Sequence, residues 1–338
     1  MKILYLGRNN GTSKHRANAL LRLGHELQLL DPSEFISGVP LAGPWQRYLG
    51  AVGLVSRVRR GIMHRVKSLH FDLIWVDSGG LVPRGLLEDL KQVAPRIINL
   101  NVDDPFGSRD LNAWMQYRSA VSAYDLVVVV RDENIEEAKA LKAKRVLRVY
   151  RAADEVAHAH RELTREEKEE WGSEVLFVGT GFPERGAFFR DLIQHGVPLS
   201  IYGNKWSELK EWKTLKRYWK GPGLEDAYSY STAILAAKVS LGLLSKGNRD
   251  LHTTRSLEIP SLGGVFCAER TSEHLNLYRE DEEAVFWSSA EECAAKCKAL
   301  LKDDEWRRAV AARGHTRYLK NGWTNMKVAE IILHAAFE

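Results

Sequence analysis

The sequence predicts an α/β protein made of two Rossmann-like, doubly wound parallel-sheet domains that face a central cleft. Its 338 residues exceed what a single hydrophobic core usually holds. Short, continuous apolar runs alternate with helical patterns, which is typical of parallel strands covered by helices on both faces. This alternation stops at a charged stretch, residues 161–170, and then starts again. We therefore expect ligands to bind in the cleft, at the carboxyl ends of the strands.

In the first half, the first predicted strand covers residues 3–6. The polar turn 8–13 follows it and leads to a helix over 15–23. Gly24 ends this helix, because glycine tolerates the left-handed conformation found at helix ends. The further predicted strands, with helices between them, are residues 26–30, 73–76, 97–101, 126–130 and 146–149.

The second half repeats the pattern, with predicted strands at residues 175–178, 199–202, 239–244, 265–268 and 285–287. The charged stretch 161–170 is interpreted as the connection between the domains. We place the N-terminal domain at residues 1–160, the C-terminal domain at 161–320, and a terminal helical segment at 321–338.

Composition indicates a soluble globular protein, since 44% of the residues are hydrophobic and 28% are charged. The net charge of +5 suits phosphorylated ligands or an anionic membrane surface. No run of Lys and Arg is long enough to indicate nucleic acid. The apolar run at residues 1–7 is too short for a signal peptide or a membrane span, which predicts a cytoplasmic protein.

The three cysteines are too few, and odd in number, for a disulfide framework. Cys293 and Cys297 lie four residues apart on a predicted helix, where a metal ion could bind, and Cys267 lies on a predicted strand. Because no histidine or acidic cluster stands nearby at ligand spacing, we predict no metal site.

Residues 246–264 are the most informative segment. A polar, basic loop leads into a short helix, for which Thr253 and Thr254 are candidate N-caps, and a glycine pair closes the helix. The start of a helix carries unpaired N–H groups and partial positive charge, which suit an anion. Glu258 lies one turn further on, where a ribose diol could donate hydrogen bonds to it. The segment therefore predicts a nucleotide-sugar site.

The N-terminal half offers candidate catalytic acids. Asp103 and Asp104 follow a predicted buried strand and precede Pro105, so they open into the cleft. Such acids can act as a general base, accept hydrogen bonds from sugar hydroxyls or bind a metal. Alternatively, this segment is a turn in which Asp103 caps the next helix. Asp77, at another strand end, is a second candidate base.

The first turn and helix add further candidates. Gly11, in the polar turn, is assigned to the substrate-binding residues. His15 and Arg16, at the start of the helix, could reach an acceptor or a donor phosphate. The commoner interpretation of His15 is a solvated helix residue, and the same applies to His252.

A basic amphipathic helix is predicted within residues 47–67. Its apolar positions and its basic positions fall on different faces: Val52, Val55, Ile62, Val66 and Leu69 on one, Arg57, Arg60, His64 and Lys67 on the other. Such a helix can lie on an anionic membrane or bind a charged acceptor. The commoner arrangement is a helix that packs on the sheet and exposes its basic face.

Several strings together make the chain resemble the CgeB (spore maturation protein) family of glycosyltransferases, which have the GT-B fold. They are, in order, Asn101-Val102-Asp103-Asp104-Pro105, Phe177-Val178-Gly179-Thr180 with Arg185, Ile201-Tyr202-Gly203-Asn204-Lys205-Trp206, Arg255-Ser256-Leu257-Glu258-Ile259 with Gly263, and Asp303-Asp304-Glu305-Trp306-Arg307-Arg308 through Trp323-Thr324. The resemblance implies two Rossmann-like domains and a last helix, about residues 325–337, that crosses back to the N-terminal domain.

The resemblance also implies a donor site in the second domain. Glu258 would bind the donor ribose, and Asp250 stands where the broader retaining group has a second acid. Arg185 would bind phosphate, whereas Thr180 replaces a phosphate-binding arginine of relatives. The lost charge could come from Arg255, Arg249, Lys246 or Lys205, and Leu224 would lie near the base.

We therefore expect a glycosyltransferase that uses a nucleoside-diphosphate sugar, UDP or dTDP, as co-substrate and requires no cofactor. The acceptor could be a glycan, lipid, protein or small molecule. The pair Glu258 and Asp250 favours retention, and an inverting course would use Asp103 or Asp104 as base. Two alternatives stay open: a nucleotide-sugar epimerase, and a carbohydrate- or nucleotide-binding assembly protein without catalysis. Peripheral membrane contact would occur through residues 47–67.

Overall fold

The computed structural model describes residues 1–338 and divides into two compact units. The N-terminal unit comprises Met1–Arg151, Ser245–Asp250 and Asn325–Glu338. The C-terminal unit comprises Ala152–Leu244 and Leu251–Thr324. Sequence analysis placed the division after residue 160 and did not anticipate that residues 245–250 would join the N-terminal unit.

Each unit contains a six-stranded sheet in which all strands are parallel. The N-terminal sheet has the order β2-β1-β3-β4-β5-β6, and the C-terminal sheet has the order β12-β11-β10-β7-β8-β9. Strand order therefore reverses between β1 and β3, and again between β7 and β10, which are the points where such sheets bind ligands. The strands are β1 (Lys2–Leu6), β2 (Glu26–Leu30), β3 (Leu73–Asp77), β4 (Ile97–Asn101), β5 (Leu126–Val129), β6 (Val146–Arg148), β7 (Ser173–Val178), β8 (Leu199–Tyr202), β9 (Trp219–Gly221), β10 (Ala237–Gly242), β11 (Phe266–Glu269) and β12 (Val285–Trp287).

Fifteen α-helices accompany the strands. In chain order they are α1 (Gly11–Arg22), α2 (Ala42–Leu49), α3 (Val55–Val66), α4 (Arg84–Leu90), α5 (Met115–Ala120), α6 (Glu133–Ala140), α7 (Arg165–Trp171), α8 (Pro183–Gln194), α9 (Trp212–Leu215), α10 (Ala227–Ala236), α11 (Arg255–Leu262), α12 (Ser272–Leu277), α13 (Ala290–Lys302), α14 (Asp304–Asn321) and α15 (Asn325–Phe337). Helix α15 belongs to the N-terminal unit and contacts α1 there.

The predicted strands are confirmed except that β9 was missed, because Trp219-Lys220-Gly221 contains no apolar run. Helix α1 begins at Gly11, earlier than predicted. The charged stretch 161–170 was wrongly interpreted as the connection between domains. It leads into α7 within the C-terminal unit, where Thr164 and Glu167 form a reciprocal capping box.

Buried strands explain where the functional side chains lie. All five residues of β3 and all five of β4 are buried, so only their carboxyl ends can offer polar groups to a ligand. Asn99 and Asn101, buried in β4, donate Nδ2 hydrogen bonds to the Ser78 carbonyl at 3.2 and 3.1 Å. These bonds fix the loop after β3, in which Ser78 and Gly79 both have positive φ.

Candidate functional site

A cavity of about 710 Å³ lies in the N-terminal unit, at the carboxyl ends of β1 and β3. It therefore occupies the point of strand-order reversal, as expected for a doubly wound sheet. Residues from the β1–α1 turn, the β3 loop and the β4 end line it, among them Gly11, Arg16, Asp77 and Asp103. The sequence thus predicted several of the residues that line this cavity.

The wall beside β1 is tightly packed. A Cβ atom on Gly7 would come within 2.6 to 2.9 Å of Tyr5, Ser13 and Asp77, so only glycine fits there. Gly11 has φ of +52° and space around it, and it starts α1 at the cavity. The first N–H groups of α1 have no helical partner, so they are available to polar groups of a ligand.

Asp77 is held in an ion pair, which argues against its predicted role as a base. Arg16 donates to both of its carboxylate oxygens, at 2.7 and 2.9 Å. Tyr5 donates its hydroxyl to the same carboxylate. Burial, followed by the charge of Asp77, raises the pKa of Tyr5 well above its usual value, so the phenol keeps its proton.

Asp103 and Asp104 have different surroundings. Asp103 lines the cavity, and its carboxylate makes no hydrogen bond within the protein. Burial raises the pKa of Asp103, although Arg151 and Arg131 oppose the shift. Asp104 is buried, and burial by itself would raise its pKa. Hydrogen bonds from Arg249 and Asn134 outweigh this effect and lower the pKa of Asp104. Asp103 is thus the better placed to take up a proton.

Asp104 instead stabilises the turn after β4. It accepts two hydrogen bonds from Arg249, both at 2.7 Å, one from Asn134 at 3.0 Å and one from the Gly107 amide at 3.1 Å. Arg249 also pairs with Glu137, at 2.9 and 3.0 Å. The suggestion that Arg249 supplies charge to a phosphate is therefore not supported, since two carboxylates already occupy its guanidinium group.

Asp250 is also buried in the N-terminal unit. Arg131 and Arg151 both donate to its Oδ1, the latter at 3.0 Å. Arg151 also donates to the Val102 carbonyl at 2.7 Å, and Arg131 donates to the Asp103 carbonyl at 2.8 Å. Asp250 therefore anchors residues 245–250 beside the candidate base, a role that sequence analysis did not foresee. Its predicted contact with the donor sugar stays a prediction.

In the C-terminal unit, Glu258 lies in the first turn of α11, where the helix dipole favours a negative charge. Its side chain is 6% exposed. Tyr230 donates a hydrogen bond to Oε2 at 2.6 Å, and Nε2 of His158 lies 3.8 Å from Oε1. The Asp154 amide donates to Nδ1 of His158, so the ring proton is on Nε2, facing Glu258. Glu258 is thus a buried carboxylate whose close partner is a neutral phenol.

Arg255 and Arg185 differ in how their guanidinium groups are used. Arg255 donates Nε to the Val178 carbonyl at 2.7 Å, and its terminal nitrogens make no hydrogen bond within the protein. Arg185 is buried and donates its terminal nitrogens to the carbonyls of Thr180, Leu243 and Leu244, at 2.8 to 3.2 Å. Its predicted contact with a diphosphate would require it to leave these carbonyls. Arg255 is therefore the better candidate for a phosphate.

The predicted helix caps are not formed as expected. Thr254 occupies the N-cap position of α11, but its backbone is already helical and its side chain makes no capping hydrogen bond. Instead, Ser256 accepts a hydrogen bond from the Thr253 amide at 3.0 Å. Both threonines are partly buried, so their hydroxyl groups can still serve a ligand.

The other predicted residues lie apart from the cavity. Lys205 is exposed and has φ of +65°, at the end of the loop after β8. Leu224 is partly buried in the loop after β9. His15 lies on α1 and is not among the residues that line the cavity. His252 is buried and paired with Glu273, which explains it as a structural residue.

Sequence analysis missed the residues that support α11. Ser256 forms a 2.8 Å hydrogen bond with Nε2 of His274, whose Nδ1 binds the Glu269 carbonyl at 2.6 Å. Because a carbonyl only accepts, Nδ1 carries the proton and Ser256 donates to Nε2. Burial lowers the pKa of His274 to about 4, so the ring is neutral at pH 7. No sequence pattern marks these residues, because their partners are distant along the chain.

The three cysteines converge in the C-terminal core, and their sulfur atoms all lie within 4.8 Å of one another. Cys267 comes from β11, and Cys293 and Cys297 from α13, where sequence analysis placed them one turn apart. Burial raises the pKa of the Cys293 thiol. Apolar side chains pack around all three. The arrangement could hold a thiophilic metal ion, which sequence analysis did not predict because Cys267 is distant in sequence.

A family model described as "Glycosyl transferase-like" matches residues 185–334. This range contains Glu258, Arg255, Arg185 and Asp250, and it confirms the predicted glycosyltransferase class at the level of the domain. No curated protein sequence matches the chain. No helix combines the length and apolar character that crossing a membrane requires.

Several solved structures resemble nearly the whole chain. Trehalose-6-phosphate synthase OtsA aligns with a TM-score of 0.71 at 13% identity, over 100% of this chain and 99% of that one. Sucrose-phosphate synthase from Thermosynechococcus elongatus aligns with a TM-score of 0.70 at 11% identity, over 99% of both chains. HepE of Anabaena, solved with UDP-glucose, aligns with a TM-score of 0.66 at 12% identity, over 99% of both. At these identities the likeness establishes the fold, and it confirms the prediction of GT-B.

Proposed function

We propose that this protein is a glycosyltransferase that moves a sugar from a nucleoside-diphosphate donor to a hydroxyl group of an acceptor. The observation that carries the proposal is Glu258, a buried carboxylate with a neutral partner, one turn from Arg255, whose terminal nitrogens are unoccupied. Both lie within the residues that the glycosyl transferase-like model matches. The CgeB family is the subfamily that the sequence strings favour.

On the donor side, Glu258 accepts hydrogen bonds from the ribose hydroxyls. A carboxylate can accept several hydrogen bonds, so the bond from Tyr230 leaves capacity for a diol. Arg255 binds the diphosphate through its terminal nitrogens and stabilises the charge that develops as the bond to the sugar breaks. Lys205, Thr253 and Thr254 add polar contacts, and Leu224 lies against the base. We favour UDP because HepE was solved with UDP-glucose.

On the acceptor side, the cavity of the N-terminal unit holds the hydroxyl that attacks C1 of the sugar. The new bond joins this oxygen to C1, while the bond from C1 to the phosphate oxygen breaks and the nucleoside diphosphate leaves. In the retaining course, which we prefer, the departing phosphate accepts the hydroxyl proton. In an inverting course, Asp103 accepts it, because burial raises its pKa and no cation pairs with its carboxylate.

A thermal-shift series with UDP, dTDP and UDP-glucose tests the donor assignment. A ligand at about 100 times its Kd should stabilise the protein by about 2.7 kcal/mol. Glu258→Gln should weaken UDP binding by about 1.5–3 kcal/mol, the range for hydrogen bonds to charged groups. The matched control is Glu291→Gln, an exposed acid in the first turn of α13. Unchanged affinity in a folded Glu258→Gln protein would reject the assignment.

The reaction itself is distinguished by its products. Acceptor-dependent release of nucleoside diphosphate supports sugar transfer. Isomerisation of the sugar without release would identify an epimerase instead, and binding without either reaction would identify a binding protein.

A further inference from the structure

Helix α2 exposes an apolar stripe that the rest of the N-terminal unit leaves uncovered. None of the residues of α2 is buried. Trp45, Tyr48 and Leu49 share one face of α2 and are 40, 57 and 57% exposed. Leu41 and Val52, just outside the two ends of the helix, are 75 and 55% exposed, and the Val52 carbonyl accepts a hydrogen bond from Nε1 of Trp45 at 3.1 Å. Exposed apolar groups that form a contiguous patch, unlike single ones, mark an interaction site.

The helix is held through its backbone, which explains how its side chains can stay free. The Asn112 amide donates to the Arg47 carbonyl at 3.0 Å, and its side chain donates to the Tyr48 carbonyl at 2.8 Å. Gln116 donates to the Gly50 carbonyl at 2.8 Å. Leu111, beside this anchor, is itself 46% exposed and extends the apolar surface. The stripe is therefore not needed to fasten α2 to the unit.

Charge is distributed unevenly around the stripe. Residues 35–71 contain no Asp or Glu, although they contain Arg47, Arg57, Arg59, Arg60, Arg65 and Lys67. Asp89 pairs with Arg59, and Glu34 lies 3.9 Å from Arg65. Arg57, Arg60 and Lys67 of the α3 region are exposed and have no ion pair. The segment that contains α2 and α3 thus carries an excess of positive charge.

Sequence analysis attributed membrane contact to a single helix over residues 47–67. The structure contains two helices there, and Val58, Ile62 and Val66 of α3 are completely buried in the core. Helix α3 therefore cannot offer its apolar face to lipid. The available apolar face belongs to α2, and α3 contributes exposed basic groups.

We propose that α2 docks this protein on the surface of an anionic bilayer, with its apolar stripe among the acyl chains near the headgroups. Trp45 and Tyr48 are the amphipathic aromatic residues that prefer this depth. The exposed arginines then contact anionic headgroups. A second copy of this chain is disfavoured as the occupant, because two such surfaces with an excess of positive charge would repel each other.

The position of α2 suggests what this docking would serve. Ala42 and Gln46, on the face of the helix next to the one that carries Trp45 and Leu49, line the cavity. Docking would therefore bring the cavity close to the bilayer, where a lipid-linked acceptor hydroxyl could enter. This consequence rests on the proposed function, whereas the docking itself does not.

Co-sedimentation of the full chain with vesicles, without any nucleotide sugar, tests the docking. We expect binding to vesicles of phosphatidylcholine mixed with phosphatidylglycerol and little binding to phosphatidylcholine alone. Leu49→Ser combined with Trp45→Ser should lower the partition coefficient about tenfold or more. Arg57→Ser combined with Arg60→Ser should lower it about fivefold for each arginine.

Matched controls distinguish docking through α2 from nonspecific adsorption to the vesicles. Leu319→Ser changes a leucine of α14 that is 61% exposed, close to the 57% of Leu49, and should not alter binding. Lys298→Ser with Lys302→Ser removes two exposed charges of α13 and should have little effect. The proposal is overturned if the protein binds neither vesicle, or if Leu49 and Leu319 variants lose binding equally. It is also overturned if light scattering shows a dimer that Leu49→Ser dissociates.

Discussion

The carboxylates of the N-terminal unit and Glu258 of the C-terminal unit have opposite kinds of partner. Asp77, Asp104 and Asp250 each accept hydrogen bonds from arginine. Glu258 accepts its short hydrogen bond from the neutral hydroxyl of Tyr230. A carboxylate that pairs with arginine has a structural role, whereas one that accepts a hydrogen bond from a neutral donor can still bind a ligand's hydroxyl groups. Partner type, more than burial, thus separates structural acids from candidate functional ones.

The largest effect on stability should come from removing an acid that pairs with arginine. Asp250→Ala removes the carboxylate that the buried Arg131 and Arg151 share, and removing one partner of such a buried pair costs about 3–5 kcal/mol. Urea unfolding should report this loss. Glu88→Ala, which removes an exposed pair with Arg84, should cost under about 1 kcal/mol. Equal losses in the two variants would show that the interpretation of Asp250 as an anchor is wrong.

His274 should make the support of α11 sensitive to acid. Its pKa is about 4 in the folded protein against 6.5 ordinarily, so the neutral ring contributes stability that is fully present above pH 6.5. This stability, about 3 kcal/mol, is lost as the pH falls from 6.5 towards 4, because the unfolded chain binds the proton first.

We expect the free energy of unfolding to fall less steeply over that range in His274→Gln than in the natural protein. Urea unfolding at several pH values measures the slope. His64→Gln, at an exposed position on α3, is the control and should keep the natural slope. A natural slope in His274→Gln would mean that another group carries the acid sensitivity.

Asp103 differs from Asp77, Asp104 and Asp250, because no arginine donates a hydrogen bond to its carboxylate. If transfer uses it as a base, Asp103→Asn should lower turnover by about 10²-fold and leave UDP affinity unchanged. Because its pKa is raised, the acid limb of the pH–rate profile should lie above the usual aspartate range and disappear in the variant. Glu133→Gln, an exposed acid of α6, is the control. Near-normal turnover in Asp103→Asn would favour the retaining course, in which the phosphate accepts the proton.

The smallest effects are expected at Arg255 and Arg185 of the C-terminal unit, where one substitution should weaken UDP binding and the other should lower stability. Arg255→Ala should weaken binding of UDP by about 1.5–3 kcal/mol, more than it weakens binding of uridine, with little loss of stability. Arg185→Ala should instead lower stability, because three carbonyls lose their donor. Calorimetric titration and urea unfolding measure the two quantities. The reverse result would restore Arg185 as the phosphate ligand, as the family resemblance implied.

Sequence periodicity predicted the sheets well because buried parallel strands consist of continuous apolar runs, as in β3 and β4. It failed at β9, whose three residues include a lysine and a glycine. The candidate acids could be named from strand ends, but their roles could not. Asp103 and Asp104 are adjacent in sequence, yet Arg249, which pairs with only one of them, comes from a distant segment. Long-range ion pairs leave no local signal.

The return of residues 245–250 and of α15 to the N-terminal unit affects how the protein can be made. On the ribosome, the chain emerges from its N-terminus, so the first unit cannot be completed until the last residues are synthesised. Until Asp250 emerges, Arg131 and Arg151 lack their carboxylate. A fragment that stops at residue 151 would lack both Asp250 and α15. The second unit should therefore be able to fold while the first waits, which reverses the usual order of N-terminal before C-terminal folding.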